Sequence, residues 1–437
     1  MWSRGVASLA RRCVGGGLFV ATVGLGAAEA KEAETPLPVA NADEPPAPPP
    51  VMWEPVEGLR LRPSAQLKVR YRYTEGRDFR AGGEANFARH RARVGFAGDY
   101  EDKLAWFVQL QDVRTYGEET SPFDTSADGF DAHQFYGEVR FPGFFLRVGR
   151  QQLTFENERI LGVAEWGEPA RSYGAVSVVA DRGPVHLHAF AAQLSDEQAS
   201  TAERPRSEAH LFGANLRASL HDGFRPALLA LAERDDPSGI RRYTVGGLVS
   251  GDVDGGTFRY TVDGYGQFGR GAAPAAPTIA AALAGVRLAY APPWTRGPFL
   301  RFEAMAATGD TRADDAMDTA FTQPFGAPHR HYGEFDLFVV LPRDTDRRGL
   351  VEVAPTVGLA EPLPGLSWSS RYHHFSAPTS IADRSRFFGH ELDHHVTYRF
   401  WRYARVDAAY ATFWAGGLLA RSRQVEHFAY VTTDLSF

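Results

Sequence analysis

Five arginines stand two residues apart on two nearby stretches of the chain: Arg70 and Arg72, then Arg89, Arg91 and Arg93. A guanidinium stays charged at any accessible pH and offers a planar fork of donors that matches a carboxylate bidentately. Several of them in alternation point to selection of anions by sign, as a ring of charged side chains does in a pore. Acids that could neutralise them sit on other stretches: Glu138, Asp263, Glu303, Glu391 and Asp393. The five cations outnumber the acids near them, so a positive stripe is expected. Lysine occurs only at Lys31, Lys68 and Lys103, so the positive charge of this chain, net −6, is nearly all arginine.

Histidines come in couples: His186 with His188, His329 with His331, His373 with His374, His394 with His395. Spacing i, i+2 puts two imidazoles on one face of a strand, but a metal centre needs further ligands and none is indicated. They are read as solvated lumen or loop histidines, and no metal or cofactor is expected. There is no Gly-x-Ser-x-Gly elbow, no phosphate-binding glycine loop and no His-Glu-x-x-His helix, so catalysis is not expected. Arginine runs also occur in nucleic-acid binders; here the interleaved acids and the export signal described below argue against that class.

The elements that carry these residues are strands. From Leu59 to Tyr73 the odd positions are Leu59, Leu61, Pro63, Ala65, Leu67, Val69, Tyr71 and Tyr73, and the even positions are polar, ending in Lys68, Arg70 and Arg72. Side chains of a strand alternate between two faces, so one face is apolar and the other cationic. The pattern recurs around Arg89–Arg93, at Leu104–Gln111, at Gln134–Phe141 with Glu138 and Arg140, at Phe258–Asp263, at Leu300–Ala304, and at Glu391–Phe400 with Arg399. A soluble sandwich and a membrane barrel both alternate; they differ in which face meets solvent. No apolar run of about 18 residues follows position 30, which excludes helical spans of the mature chain.

The ends of the chain favour the barrel. Arg4, Arg11 and Arg12 precede a small, apolar run, Val14 to Ala27, and Ala28-Glu29-Ala30 suits a signal peptidase, so residues 1–30 read as a signal peptide cleaved after Ala30. Cys13, the only cysteine, would be lost with it. Residues 31–57 read as a Pro-rich linker and 58–437 as the barrel. The C-terminal Val431-Thr432-Thr433-Asp434-Leu435-Ser436-Phe437 alternates and ends in an aromatic, resembling the strand that the barrel-assembly machinery of Gram-negative outer membranes reads. The expected fold is all-β, a transmembrane antiparallel up-and-down barrel among outer-membrane lipids and lipopolysaccharide. Roughly 19 strand-like segments follow Leu59, and such barrels use even numbers; the weakest, around Phe335–Leu341, is expected to be a loop or inward fold, leaving about 18 staves. Hydrophilic insertions at 118–131, 195–208, 308–330 and 376–386 are expected as extracellular loops, and 141–144 as a periplasmic turn. A barrel this wide leaves an aqueous channel unless loops plug it.

Three stretches resemble the alginate-export family of outer-membrane barrels. The first runs Gly149-Arg150-Gln151-Gln152-Leu153 through Asn157-Glu158-Arg159-Ile160-Leu161-Gly162 to Trp166 and Arg171-Ser172-Tyr173. The second is His331-Tyr332-Gly333-Glu334-Phe335-Asp336, and the third Gly389-His390-Glu391-Leu392-Asp393 with Ala415-Gly416-Gly417 beyond it. Asn157 stands where the family has Asp, and Tyr173-Gly174 where it commonly has Phe-Asp. The resemblance implies a monomer whose lumen is narrowed by arginines, here including Arg150, Arg159 and Arg171, and passage of an anionic polysaccharide. Alternatives on the same fold are a passive porin preferring small anions, and an adhesive barrel with a closed lumen.

Overall fold

The computed structural model describes residues 52–437 except 76–77, 80–82, 117–127, 195–208, 237, 293–296, 313–315, 380–384, 420 and 422. The expected signal peptide, most of the linker and most of the insertions at 118–131 and 195–208 lie outside the described residues.

The strands are β1 (Trp53–Val56), β2 (Leu59–Thr74), β3 (Ala85–Tyr100), β4 (Leu104–Tyr116), β5 (Asp128–Phe141), β6 (Phe144–Gln151), β7 (Tyr173–Arg182), β8 (Val185–Gln193), β9 (Ala209–Ala218) and β10 (Arg225–Asp235). They continue as β11 (Ile240–Val253), β12 (Phe258–Arg270), β13 (Thr278–Tyr290), β14 (Pro298–Ala307), β15 (Met317–Asp318), β16 (Leu350–Leu363), β17 (Leu366–Ser376), β18 (Phe387–Trp401), β19 (Ala404–Ala415) and β20 (Val425–Ser436). Eighteen of them, all but the short β1 and β15, make a closed antiparallel barrel. Closure runs from β2 to β20, with Leu67 opposite Leu435 and Arg70 opposite Thr432. Every edge is thereby paired, which is what lipid requires of backbone polar groups.

Alternation sets the faces. On β2, Leu67, Val69 and Tyr71 face outward and are exposed, whereas Lys68 and Arg70 are buried inside. Outward aromatics gather near one rim as Phe141, Phe144, Phe258, Tyr290, Trp401 and Phe437, a girdle of the kind that marks the bilayer interface. The joins at this rim are short, such as Pro142-Gly143, and match periplasmic turns. The opposite rim carries the longer connections.

Of those long connections, the one after β2 sends Phe79 inside against Phe413 at 5.4 Å, and two others go further. Residues 152–172, after β6, and 319–349, before β16, fold into the lumen as one body. Phe335 and Phe338 are completely buried there, so the weak segment at Phe335–Leu341 is an inward fold as expected. The expectation for 308–330 is corrected: Ala320, Phe321 and Ala327 are buried inside the barrel instead of forming an extracellular loop. The reason is apolar content within a hydrophilic stretch. Phe321 joins the apolar core inside the barrel and Phe325 packs against it, and full burial of a large aromatic such as Phe321 is worth about 2–3 kcal/mol.

Candidate functional site

The inward body has an apolar side and a charged side. Leu153, Phe155, Ile160 and Leu161 share an apolar core with Phe190, Leu211, Leu229 and Leu231 of the staves, and the rings of Phe155 and Phe190 lie 5.6 Å apart. Phe335 and Phe338 pack among Phe375, Phe388, Phe413 and Phe428. Polar clamps fix the rest. The Gln267 amide donates to the Thr322 carbonyl at 2.7 Å and accepts from the Thr322 N–H at 2.9 Å.

The two inward segments hold each other. Arg171 donates to the Gly326 carbonyl at 2.7 Å, Arg330 meets Glu158 at 2.5 Å, and the Gly162 N–H donates to Phe325 at 2.8 Å. The Trp166 indole N–H donates to Asp336 at 2.7 Å, and its ring stacks on His329 with centroids 3.6 Å apart. His329 in turn contacts Asp336 at 2.7 Å and Glu334 at 3.3 Å. Burial disfavours its charge, yet the two carboxylates outweigh that and push its pKa up to about 9.

The charged side faces β2 and β3. Arg70 donates to Glu168 at 2.7 Å, to the Trp166 carbonyl at 2.8 Å and to Thr432 at 2.9 Å, with its guanidinium 3.6 Å above the Trp166 ring. Arg89 reaches the other oxygen of Glu168 at 3.2 Å. Arg91 and Arg93 share Glu165 at 2.7 and 2.9 Å, and Arg93 also donates to Gln111. Arg72 lies over Phe428 at 4.9 Å. Burial would raise both glutamates; Arg70, Lys68 and Arg89 hold Glu168 below the usual range, and Arg91, Arg93 and Lys68 do so for Glu165. The stripe expected from sequence is therefore matched by acids that alternation could not reveal, because Glu165 and Glu168 come from the inward loop.

The other sequence-selected residues divide. Arg159 is buried and pairs with Asp263 at 2.7 Å, anchoring the body to β12. Arg150 meets Asp131 at 3.1 Å, both about two-fifths exposed. Arg140 contacts Asp99 at 2.6 Å and Glu138 at 3.0 Å near the short-join rim, and Arg399 is exposed at the same rim. Glu391 accepts from the Phe335 N–H at 2.8 Å, and Asp393 from the Glu334 N–H at 3.2 Å and from His373 at 3.1 Å. Gly333 lies so close to Glu391 that a Cβ there would collide with the carboxylate, and its φ of +87° is one that glycine adopts freely. The acids Glu138, Asp263, Glu303, Glu391 and Asp393 thus serve partners other than the five arginines. His331 and His373 are buried, not solvated as expected, because they sit at the junction of body and wall. Among the described residues no group of three or more His, Cys, Asp or Glu is arranged to hold a metal ion.

Solved structures share the fold at low identity. OccK8 (OprE) of Pseudomonas aeruginosa aligns with a TM-score of 0.61 at 12% identity, covering 86% of this chain and 98% of that one. OccAB1 of Acinetobacter baumannii gives 0.61 at 13% identity, covering 86% and 96%, and OccK11 (OpdR) of Pseudomonas aeruginosa gives 0.57 at 14%, also covering 86% and 96%. No curated protein sequence matches the chain. The family model described as alginate export matches residues 60–431, which takes in all three resembling stretches and nearly every stave. In the fold these stretches converge on one place, the inward body and the wall that holds it, and on that match over most of its length the chain belongs to the alginate-export family of outer-membrane β-barrel channels.

Proposed function

We propose that this outer-membrane channel exports an anionic, alginate-like exopolysaccharide, after removal of a signal peptide ending at Ala30. The observation that carries the reading is the pairing of Glu165 and Glu168 with Arg70, Arg89, Arg91 and Arg93. A polyuronate presents one carboxylate per sugar, and this wall already binds two carboxylates set three residues apart. Arg89 and Glu165 are each about one-third exposed at their side chains, which supports access of solvent and ions to the contact line. A polymer carboxylate arriving there can trade places with Glu165, and each such contact is weak in water because screening limits its reach to about 8 Å. Weak repeated contacts suit transport, since the polymer must enter and also leave.

The alternative reading is a passive porin preferring small anions. It draws on the fold shared with OpdK of Pseudomonas aeruginosa, solved with vanillate, itself a carboxylate, at 12% identity and a TM-score of 0.56. Planar-bilayer conductance separates the two. Polysaccharide export predicts an anion-selective pore that polyuronate blocks and monomeric uronate does not, with block weakened in Arg89→Gln/Arg91→Gln/Arg93→Gln. A cation-selective pore, or equal block by monomer and polymer, refutes export and leaves the porin.

A further inference from the structure

Outside the lumen, four side chains of the lipid-facing surface share one cross-strand row at the long-loop rim. His210 of β9 stands opposite Arg234 of β10, Arg234 opposite Arg241 of β11, and Arg241 opposite Arg270 of β12. Their strand neighbours settle the face: Leu211 is fully buried inside, and Glu233 pairs with Arg242 across the lumen wall. Like charges directly opposite on adjacent strands repel. Adjacent strands lie about 4.8 Å apart, so three guanidinium stems stand within roughly 10 Å. Arg234 is held by Asp236 with both oxygens, at 2.8 and 3.0 Å. Among the described residues no hydrogen bond or ion pair engages Arg241 or Arg270. By contrast Arg114, outward on β4, is matched by Asp112 at 3.1 Å.

Two residues below the cations lies an aromatic row, Phe212, Tyr243 and Phe268, with Tyr243 and Phe268 stacked at 5.3 Å. Below that come exposed aliphatics, Leu216, Leu228 and Val245. Cation, aromatic and aliphatic layers in this order follow the layers of a membrane leaflet from headgroup to acyl chain. The height agrees: the 13 residues of β12 rise roughly 30 Å at about 3.3 Å each and a tilt of about 40°, which puts Arg270 just above an apolar band about 25 Å tall.

We propose that the outer surface of β9–β12 is a binding site for the phosphorylated headgroup of an outer-leaflet glycolipid. Arg241 and Arg270 grip phosphate oxygens, Arg234 and His210 border them, and the aromatic row lies at the boundary with the acyl chains. Arg241 and Arg270, opposite each other on adjacent strands, repel unless an anion lies between them, and a phosphate accepts bidentate guanidinium bonds. The site is independent of what passes through the lumen.

The test is native mass spectrometry of the full chain, refolded in detergent and titrated with diphosphorylated lipid A, with chemically dephosphorylated lipid A, or with phosphatidylglycerol. Heat-modifiable gel migration checks the fold of each variant. Wild type should retain diphosphorylated lipid A in preference to the other two lipids. Arg241→Gln and Arg270→Gln should each weaken retention about tenfold, and together about a hundredfold, as expected for charge-assisted bonds. Arg114→Gln should leave it unchanged. Equal binding of the dephosphorylated lipid would mean the arginines only snorkel to water, and equal binding of phosphatidylglycerol would mean a generic anionic surface; either overturns the proposal. So does undiminished binding in the single variants, which keep it decidable if the double variant fails to fold.

Discussion

Glu168→Gln isolates the contact that holds the inward body to the wall. The Glu168 side chain is 4% exposed and joins Arg70, equally buried, to Arg89. Glutamine keeps the shape and one acceptor but removes the charge, leaving Arg70 without its carboxylate. Removing one partner of a buried ion pair costs about 3–5 kcal/mol. Arg70 keeps Thr432, the Trp166 carbonyl and the Trp166 ring, and Arg89 is about one-third exposed, so the lower end, about 3 kcal/mol, applies. The cost falls on the docking of residues 152–172, because the hydrogen-bond ladders of the barrel are untouched. About 3 kcal/mol is roughly two decades in the open-to-docked ratio. Hydrogen exchange of amides in 152–172 should therefore quicken about a hundredfold, while those of β2 and β3 keep their protection. Single-channel records should gain flicker toward a larger conductance. Unchanged exchange in 152–172 together with unchanged conductance would refute the view that Glu168 holds this loop.

Three further outcomes follow from the same contacts. Glu165 and Glu168 titrate below an unfolded value of about 4.3, so their stabilisation is complete above that value and disappears as pH falls through the lowered folded values; conductance noise should rise below about pH 4, and a flat record down to pH 3 would contradict this. His329 is raised to about 9, so its contribution is complete below about 6.5 and is lost as pH rises through about 9; a second, alkaline onset of noise should appear in wild type and vanish in His329→Asn. Leu67→Arg places a charge on the lipid face of β2 and should destabilise the barrel by about 2–4 kcal/mol in urea if Leu67 lies near the bilayer midplane, whereas Ser64→Ala, on the inner face, should change stability little.

The barrel was legible because period-2 alternation is local. Leu67 beside Lys68 reveals the two faces whatever the neighbouring strand does, and Phe335–Leu341 betrays itself by the Gly333 and Pro342 that hem it in. The site was half legible. The arginines that line β2 and β3 stand in plain alternation, but their partners lie 72–98 residues away on a loop whose path depends on tertiary packing. One signal was present in the chain: an aromatic flanked by two acids, Glu165-Trp166-Gly167-Glu168, offers a ring and two carboxylates to a cationic wall. The acids on other staves misled for the complementary reason. Asp263 and Glu303 share the barrel with the arginine stripe but face Arg159, Arg287 and Arg371 across a different arc of the wall.

The two glutamates that meet the arginine wall are not equivalent, and the difference bears on how a narrowed lumen can pass a polymer. Glu168 is almost wholly enclosed and touches one buried and one partly exposed arginine, so it serves as the anchor. Glu165 is about one-third exposed and is shared by Arg91 and Arg93, each of which keeps a second partner: Gln66 at 3.0 Å for Arg91 and Gln111 at 2.7 Å for Arg93. Losing Glu165 therefore strands neither guanidinium, and its Coulomb gain is discounted by water. A tethered carboxylate competes at an effective concentration of about millimolar. A single free anion at lower concentration loses that contest. A chain of uronates does not, because once one residue is engaged the next is also tethered. On the proposed function, the loop carboxylate thus sets a threshold that a polymer crosses and a monomer does not, while Glu168 keeps the body in place during passage.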